Sequence, residues 1–477
     1  MSSAELELPA QAPGSFRDPA GRLYRLPDRI LRTVKAEHAG QLERFLASAT
    51  ARKAVEAGTL VGSRRIAASE CPEIHFEDDS AIWEHDKIAF PSFPYEWPPE
   101  MLASAAALTL DLAENALKEG FGLKDATPYN ILFRGPRPVF IDVLSFEPRD
   151  PLDSTWLAYA QFVRTFLLPL IANRHFGLSL DRVFAGQRDG LEPEILYQWA
   201  GFWRRLMPGF FGLVTLPKWL GSAEPASYHR KPAASPEQAR FILSGLLRSC
   251  RRQLNSVKPR SGRDSVWSGY LDHKSLYSEA QLAQKERFVR ECMEVAAPGR
   301  VLDAGANEGR FSLLAARNGA SVVAIDTDPV VVGSIWRAAR REDLPVLPLV
   351  VDLTRPTPAV GWRNQECPSF LERARGSFDL VMMLAVIHHI LITERIPLED
   401  LVGLADELSR EYLLVEFVAP ADAMFQRIVR GRDHLYSGMS PEWFEAAVLT
   451  RFEMVRSERI GGMHRWLYLL RKRRAAT

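Results

Sequence analysis

Residues Val301 to Phe311 read VLDAGANEGRF: a short apolar strand, a turn of small residues, and a helix beginning near Arg310. Gly305 and Gly309 let the backbone bend tightly and approach a ligand with no Cβ in the way. Asp303, at the end of the strand, sets a carboxylate beside the same opening. In open α/β sheets ligands bind outside the carboxyl ends of the strands, so this turn is where a cofactor is expected. The dinucleotide fingerprint G-x-G-x-x-G is absent, because Asn307 and Glu308 interrupt it, and no G-K-[ST] follows to make a phosphate loop.

Working outward, the helix FSLLAARNG is followed by SVVAIDTD, a strand closed by Asp326, whose carboxylate can accept hydrogen bonds from both hydroxyls of a ribose. VLPLVVDLT carries Asp352, FDLVMML runs from Phe378 to Leu384 into AVIHHI, and YLLVEFV ends near Glu416. FEMVRSERI and HRWLYLL read as a closing antiparallel pair. The spacing D-x-G-x-x-x-G, with these features in this order, resembles the class I S-adenosylmethionine-dependent methyltransferases. The resemblance implies a Rossmann-like, seven-stranded α/β sheet. It also implies S-adenosyl-L-methionine as cofactor, held by Asp303, Gly305, Asn307, Gly309, Asp326, Asp352 and Leu384, with Asp352 at the adenine amine. The whole chain also resembles bacterial two-domain proteins related to nodulation-type methyltransferases.

Methyl transfer is an in-line displacement, so the protein must chiefly align nucleophile and methyl and exclude water. In the methyltransferase fold the segment after the fourth strand faces the methyl group, which makes His388 and His389 candidate general bases for an acceptor that must lose a proton. Capping a helix or satisfying buried carbonyls is the alternative use of this pair. Glu416 is a second catalytic candidate, or a substrate ligand. Helices before the glycine turn close over the cofactor in that family, so Tyr270, Tyr277 and Lys285 are candidates to touch it; helix packing for the tyrosines and solvation for Lys285 are the alternatives. Arg427, Arg430 and Arg432 could recognise an acid or phosphate, or simply face water. No [DNS]-P-P-[YF] ends the fourth strand, which disfavours amino methylation of adenine, cytosine or glutamine, and Cys367 is not on a catalytic strand end.

The composition is that of an ordinary globular protein, with 47% hydrophobic and 25% charged residues. Sixty Lys and Arg against 59 acids leave no global field for nucleic acid or an anionic membrane. The terminal RKRR is expected to be a solvated end. Four cysteines, at 71, 250, 292 and 367, form no C-x-x-C, so neither a disulfide framework nor a metal site is indicated. The N-terminus lacks a basic region followed by an apolar core, and the longest apolar runs are too short to span a bilayer. A cytoplasmic protein is the default expectation.

The earlier half divides into a disordered tail over 1–14, an α+β domain over 15–221, and a linker over 222–264 with one short helix, before the methyltransferase domain of 265–477. Strands broken by D-P, A-G and P-D turns precede a helix over 36–57, two short strands, and a helix from Met101 to Gly120. Then GLKDATPYNILFRGPRPVFID places Asp125 five residues before Asn130, with Asp142 ending a strand. This spacing resembles the catalytic segment of protein kinases and aminoglycoside phosphotransferases, in which an Asp orients the acceptor and the Asn and a second Asp bind metals. With Lys35 at the end of an earlier strand, the resemblance implies a nucleotide site at Lys35, Asp125, Asn130 and Asp142. Against phosphoryl transfer, no glycine-rich loop precedes Lys35, and Asp142 is followed by Val and Leu; turn formation and internal pairing remain open. From Asp150 to Leu220 the chain is helical and aromatic, and is expected to be core rather than a membrane surface or apolar groove.

The expected function is methyl transfer to a small molecule or biosynthetic intermediate, with the first domain presenting the acceptor. A bifunctional kinase and methyltransferase, and a non-catalytic cofactor-binding protein, are the alternatives. No basic groove favours nucleic acid as substrate.

Overall fold

A computed structural model describes residues 18–71, 80–220, 232–259, 277–429, 431 and 433–473. The chain separates into two units, Met1–Arg260 with Ala359–Cys367, and Ser261–Pro358 with Pro368–Thr477. The expected disordered tail, Tyr270, Arg430 and Arg432 lie outside the described residues.

The first unit opens with strands β1 (Gly21–Arg25), β2 (Ile30–Lys35), β3 (Ser63–Ile66) and β4 (Ser80–His85), joined antiparallel in the order β1-β2-β4-β3. The helix expected over 36–57 is two helices, Ala36–Leu46 and Ala49–Glu56. Ser48 causes the break: its Oγ accepts from the Ala51 amide at 3.1 Å and starts a new helix, a preference of serine at an N-cap. The long helix Pro99–Lys118 buries Leu102, Leu110 and Leu112 and leads into β5 (Phe121–Leu123), β6 (Ile131–Arg134), β7 (Arg137–Phe140) and β8 (Phe146–Pro148). These pair as β5 with β8 and β6 with β7, so the unit is α+β.

Two expectations here are corrected. The stretch read as a linker with one short helix carries a 22-residue helix, Pro236–Val257, which buries Leu243, Leu247, Cys250 and Leu254. Its Arg251 reaches Asp111 at 2.7 Å and Glu114 at 3.1 Å on the helix Pro99–Lys118. The aromatic stretch of 150–220 is only partly core. Phe162, Phe166, Phe210 and Val214 are buried, but Trp203 and Trp219 are 80% and 55% exposed. A piece of the later chain, 359–367, also belongs to this unit, where buried Glu366 pairs with Arg188.

The second unit carries β9 (Arg300–Ala304), β10 (Ser321–Asp326), β11 (Val346–Val350), β12 (Phe378–Met383), β13 (Ser409–Val418), β14 (Phe452–Arg459) and β15 (Arg465–Lys472). They form one seven-stranded sheet, β11-β10-β9-β12-β13-β15-β14. Five strands are parallel, and β15 runs antiparallel to both β13 and β14. This is the Rossmann-like methyltransferase sheet. Runs such as VLPLV and VLDA are almost wholly apolar because a parallel sheet is covered on both faces. On one face Phe288, Leu313 and Ile335 from three helices pack on Val301, Ala324 and Met382. The strand order reverses between β9 and β12, so the carboxyl ends of β9, β10 and β12 open onto one crevice. The basic end is not simply solvated: Arg471 and Lys472 lie in β15, with Arg471 on Glu411 and Lys472 on Asp406.

Candidate functional site

The turn after β9 is fixed from β10. The amides of Gly305 and Ala306 both donate to the Ile325 carbonyl, at 2.9 and 3.0 Å. Gly305, Asn307 and Gly309 have φ of 76°, 48° and 78°, the left-handed region in which glycine carries no penalty. A Cβ on Gly305 would lie 2.9 Å from Val386, and one on Gly309 would lie 2.8 Å from Ile335. Both glycines therefore also make room for protein side chains, Val386 and Ile335. Gly309 starts the helix Arg310–Arg317 and does not line the crevice, unlike the other six expected cofactor residues.

The crevice is a cavity of about 860 Å³, within the range of small-molecule sites. Three carboxylates stand in its wall. Asp303 is buried, accepts from Ser312 Oγ at 2.5 Å, and has its pKa pushed up to about 6 by burial; the Ser312 hydrogen bond and the Lys285 ammonium oppose that rise. Asp326 is also raised by burial, against hydrogen bonds from the amides of Asp328 at 3.1 Å and Asn307 at 2.8 Å. Asp352 accepts from the Thr354 amide and hydroxyl at 2.8 and 2.6 Å. Asn307 Oδ1 is buried with no hydrogen-bond partner among the described residues. Charge-deficient carboxylates and an orphaned acceptor fit a ligand that brings a cation and hydrogen-bond donors, as a sulfonium amino acid nucleoside does.

The catalytic candidates separate in space. His389 lines the cavity, with its pKa lowered to about 4 by burial and by Arg465. His388 is buried behind it, the two rings 4.4 Å apart. Burial, then the charges of His389, Arg465 and Lys285, drive the His388 pKa well down. Both rings are thus neutral at pH 7. Glu416 does not reach the cavity lining: it is fully buried and accepts from Lys285 Nζ at 2.5 Å and Tyr277 Oη at 2.6 Å. Arg465 Nη1 donates at 3.3 Å to the same oxygen as Tyr277. Burial alone would raise its carboxyl, but Lys285 and Arg465 outweigh that and hold it below its ordinary value. Lys285 is therefore not solvated. Its ammonium sits 5.2 Å from the Tyr277 ring centre and 4.9 Å from that of Phe311, and both Lys285 and Tyr277 line the cavity. Arg465 and its bidentate partner Asp422, at 2.9 and 3.0 Å, were missed at the sequence level. An arginine among HRWLYLL was the available signal, since an interior strand position tolerates one only when paired.

Arg395, Met424, Arg427, Ile428 and Tyr436 also line the cavity. Ala385 and Arg395, with φ of 58° and 57°, are left-handed non-glycine residues in the cavity wall, a backbone cost characteristic of functional sites.

In the first unit Asn130, Ser145 and Asp142 form a chain: Asn130 Nδ2 donates to Ser145 Oγ at 3.1 Å, and Ser145 Oγ to Asp142 Oδ2 at 2.6 Å. Asp125 is raised first by burial and then by the Asp142 charge, so those two carboxylates face one another. The cation on Asp142 is Arg32, at 3.1 Å, which also holds Asp18 at 3.0 Å. Lys35, three residues further along β2, points to the opposite face of the strand and is exposed. The expected Lys35 contact is thus replaced by Arg32.

Over 469 residues the chain is 31% identical to nodulation protein NoeA of Rhizobium meliloti (strain 1021), covering 96% of each chain. The chain belongs to the NoeA family. A methyltransferase-domain family model matches residues 277–409, which include most of the residues lining the crevice. The cofactor of this enzyme is S-adenosyl-L-methionine, and the chain is a methyltransferase. Among solved structures, the N-methyltransferase NodS from Bradyrhizobium japonicum WM9, in complex with S-adenosyl-l-homocysteine, is 13% identical; it covers 44% of this chain and 99% of its own, with a TM-score of 0.32. The bifunctional kinase-methyltransferase WbdD is 17% identical, over 43% of this chain and 41% of its own, with a TM-score of 0.30. Substrates do not carry over at such values.

Proposed function

We propose that this NoeA-family methyltransferase acts on an anionic small-molecule acceptor or biosynthetic intermediate. The observation that carries the reading is a pair of arginines in the cavity lining. They are Arg395 and Arg427, and neither has a carboxylate partner among the described residues. An unpaired guanidinium at a cavity mouth suits a carboxylate or phosphate, which it can grip through two parallel hydrogen bonds. When bound, the cofactor supplies a methyl group already activated by sulfonium. Asp303, Asp326 and Asp352 orient it, and the apolar wall of Leu384, Ile390 and Ile428 excludes water. Neutral His389 is the residue placed to accept a proton from an acceptor hydroxyl or to orient it. The first unit is assigned the holding of the acceptor, and the cytoplasm, where the cofactor is made, is the proposed place of action.

The test is methyl transfer from labelled cofactor to anion-exchange fractions of a cell extract. Arg427→Gln should raise KM for the acceptor about tenfold with the cofactor Kd unchanged. Transfer only to neutral or cationic fractions would refute the reading.

A second reading, phosphoryl transfer by the first unit, is favoured by the convergence of Asp125, Asn130 and Asp142. The Arg32 ion pair on Asp142 opposes it, because it occupies the carboxylate that a nucleotide-bound metal needs. Titration with ATP and magnesium decides: no heat is expected, and binding lost in Asp142→Ala would reverse the preference.

A further inference from the structure

Eighteen large apolar residues of the described chain are more than a third exposed, and nine of them fall between 199 and 220. Single exposed apolar residues are ordinary, but a concentration of this kind marks an interaction surface. The residues lie together. Phe202 and Trp203 rings are 5.3 Å apart, Phe211 and Trp219 are 5.8 Å apart, and Trp219 Nε1 is 3.4 Å from Tyr197 Oη. The charge within the stretch 195–220 has one sign, Glu194 at the start of the first helix lying just before it. Residues 195–220 contain Arg204, Arg205 and Lys218 and no acid. None of the three has a carboxylate partner among the described residues. Arg205 lies 4.0 Å over the Tyr197 ring, with Nε on the Tyr197 carbonyl at 3.2 Å, and Arg204 lies 5.0 Å over Phe176. Their guanidinium planes are thus packed on aromatic faces at the edge of the apolar patch.

We propose that this face docks the protein on an anionic lipid surface. Trp, Phe and Leu beside unpaired Arg and Lys is the composition of a segment that sits at the boundary of headgroups and acyl chains. It lies on the surface and does not cross. Gly201 and Pro208 break it into the helices Pro193–Trp199 and Phe202–Arg205 and a helical run over 208–220 that is too short to cross, and no described helix is long and apolar enough to span a bilayer. A symmetric contact between two copies would set these cations against their own images, whereas anionic headgroups match both their sign and the apolar depth beside them.

The experiment is flotation of the full-length protein with vesicles of phosphatidylcholine alone, and of phosphatidylcholine mixed with phosphatidylglycerol. Binding is expected to the mixed vesicles only, and to weaken as salt rises. Arg204→Gln, Arg205→Gln and Lys218→Gln should each reduce it roughly fivefold. Phe202→Glu with Trp203→Glu should abolish it while the melting temperature and the cofactor titration stay as in the parent protein. The proposal is overturned if the parent protein binds neither vesicle, or if the glutamate variant binds as well as the parent. It is also overturned if light scattering shows a dimer that the glutamate variant dissolves, which would make the patch a protein interface.

Discussion

Each unit gathers carboxylates at the ends of strands, and the two treat them differently. Around Asp142 the charge is matched in part, by Arg32, which is shared with Asp18, and by the hydroxyl of Ser145, while Asp125 stays raised by burial and by Asp142. Around Asp303 and Asp326 it is not: the nearest cation, Lys285, is spent on Glu416, and burial drives both carboxyls up. A protein that leaves buried carboxylates short of positive charge holds a place for a cation that arrives from outside.

The contrast can be attacked first where matching is tightest. Glu416→Ala would leave Lys285 and Arg465 buried without their shared anion, and should cost about 3–5 kcal/mol of stability, read by chemical denaturation. A small loss would mean that the buried cluster is solvated in solution. Next in size, Asp326→Ala should weaken cofactor binding about 100-fold by calorimetry, close to 3 kcal/mol, while Asp142→Ala leaves it unchanged. Equal effects from the two would erase the distinction between the units.

The smallest effect is on pH. The Asp303 carboxyl, at about 6 when folded, sits above the ordinary 3.8, so the folded protein takes up a proton more readily than the unfolded chain. Its contribution to stability is therefore unfavourable at neutral pH and is relieved as pH falls through about 6. Cofactor binding has the opposite sign, because a positively charged ligand needs the carboxylate. Affinity should fall by up to about tenfold between pH 7 and pH 5, and Asp303→Asn should flatten the profile. A flat profile in the parent protein would show that Asp303 stays ionised.

The second unit was largely legible in the sequence because its first three strands are apolar runs with an Asp at or just after the carboxyl end. Asp303, Asp326 and Asp352 could be placed before any contact was known. The partners of Glu416 could not, since Tyr277 and Lys285 come from a helix 131 or more residues earlier and Arg465 from a later strand. Lys285 alone on a helix looks like any solvated lysine. In the first unit, Ser48 was a readable cap that the longer helical pattern concealed. The exposure of Trp203 was not readable, because an aromatic helix has the same composition whether it faces a core or a lipid. Nor could the sequence show that 359–367 belongs to the first unit, as nothing in its composition marks a chain leaving one unit for the other.

The packing of Val386 against Gly305 constrains more than the turn. Val386 follows Leu384 and Ala385, so this part of the cavity lining is keyed to the cradle of the cofactor and is not free to change. A lineage that adopts a new acceptor is then expected to write the change among the lining residues Met424, Arg427, Ile428 and Tyr436, none of which meets a Cβ placed on Gly305 or Gly309. The history of this enzyme's substrates is to be sought in that one short stretch.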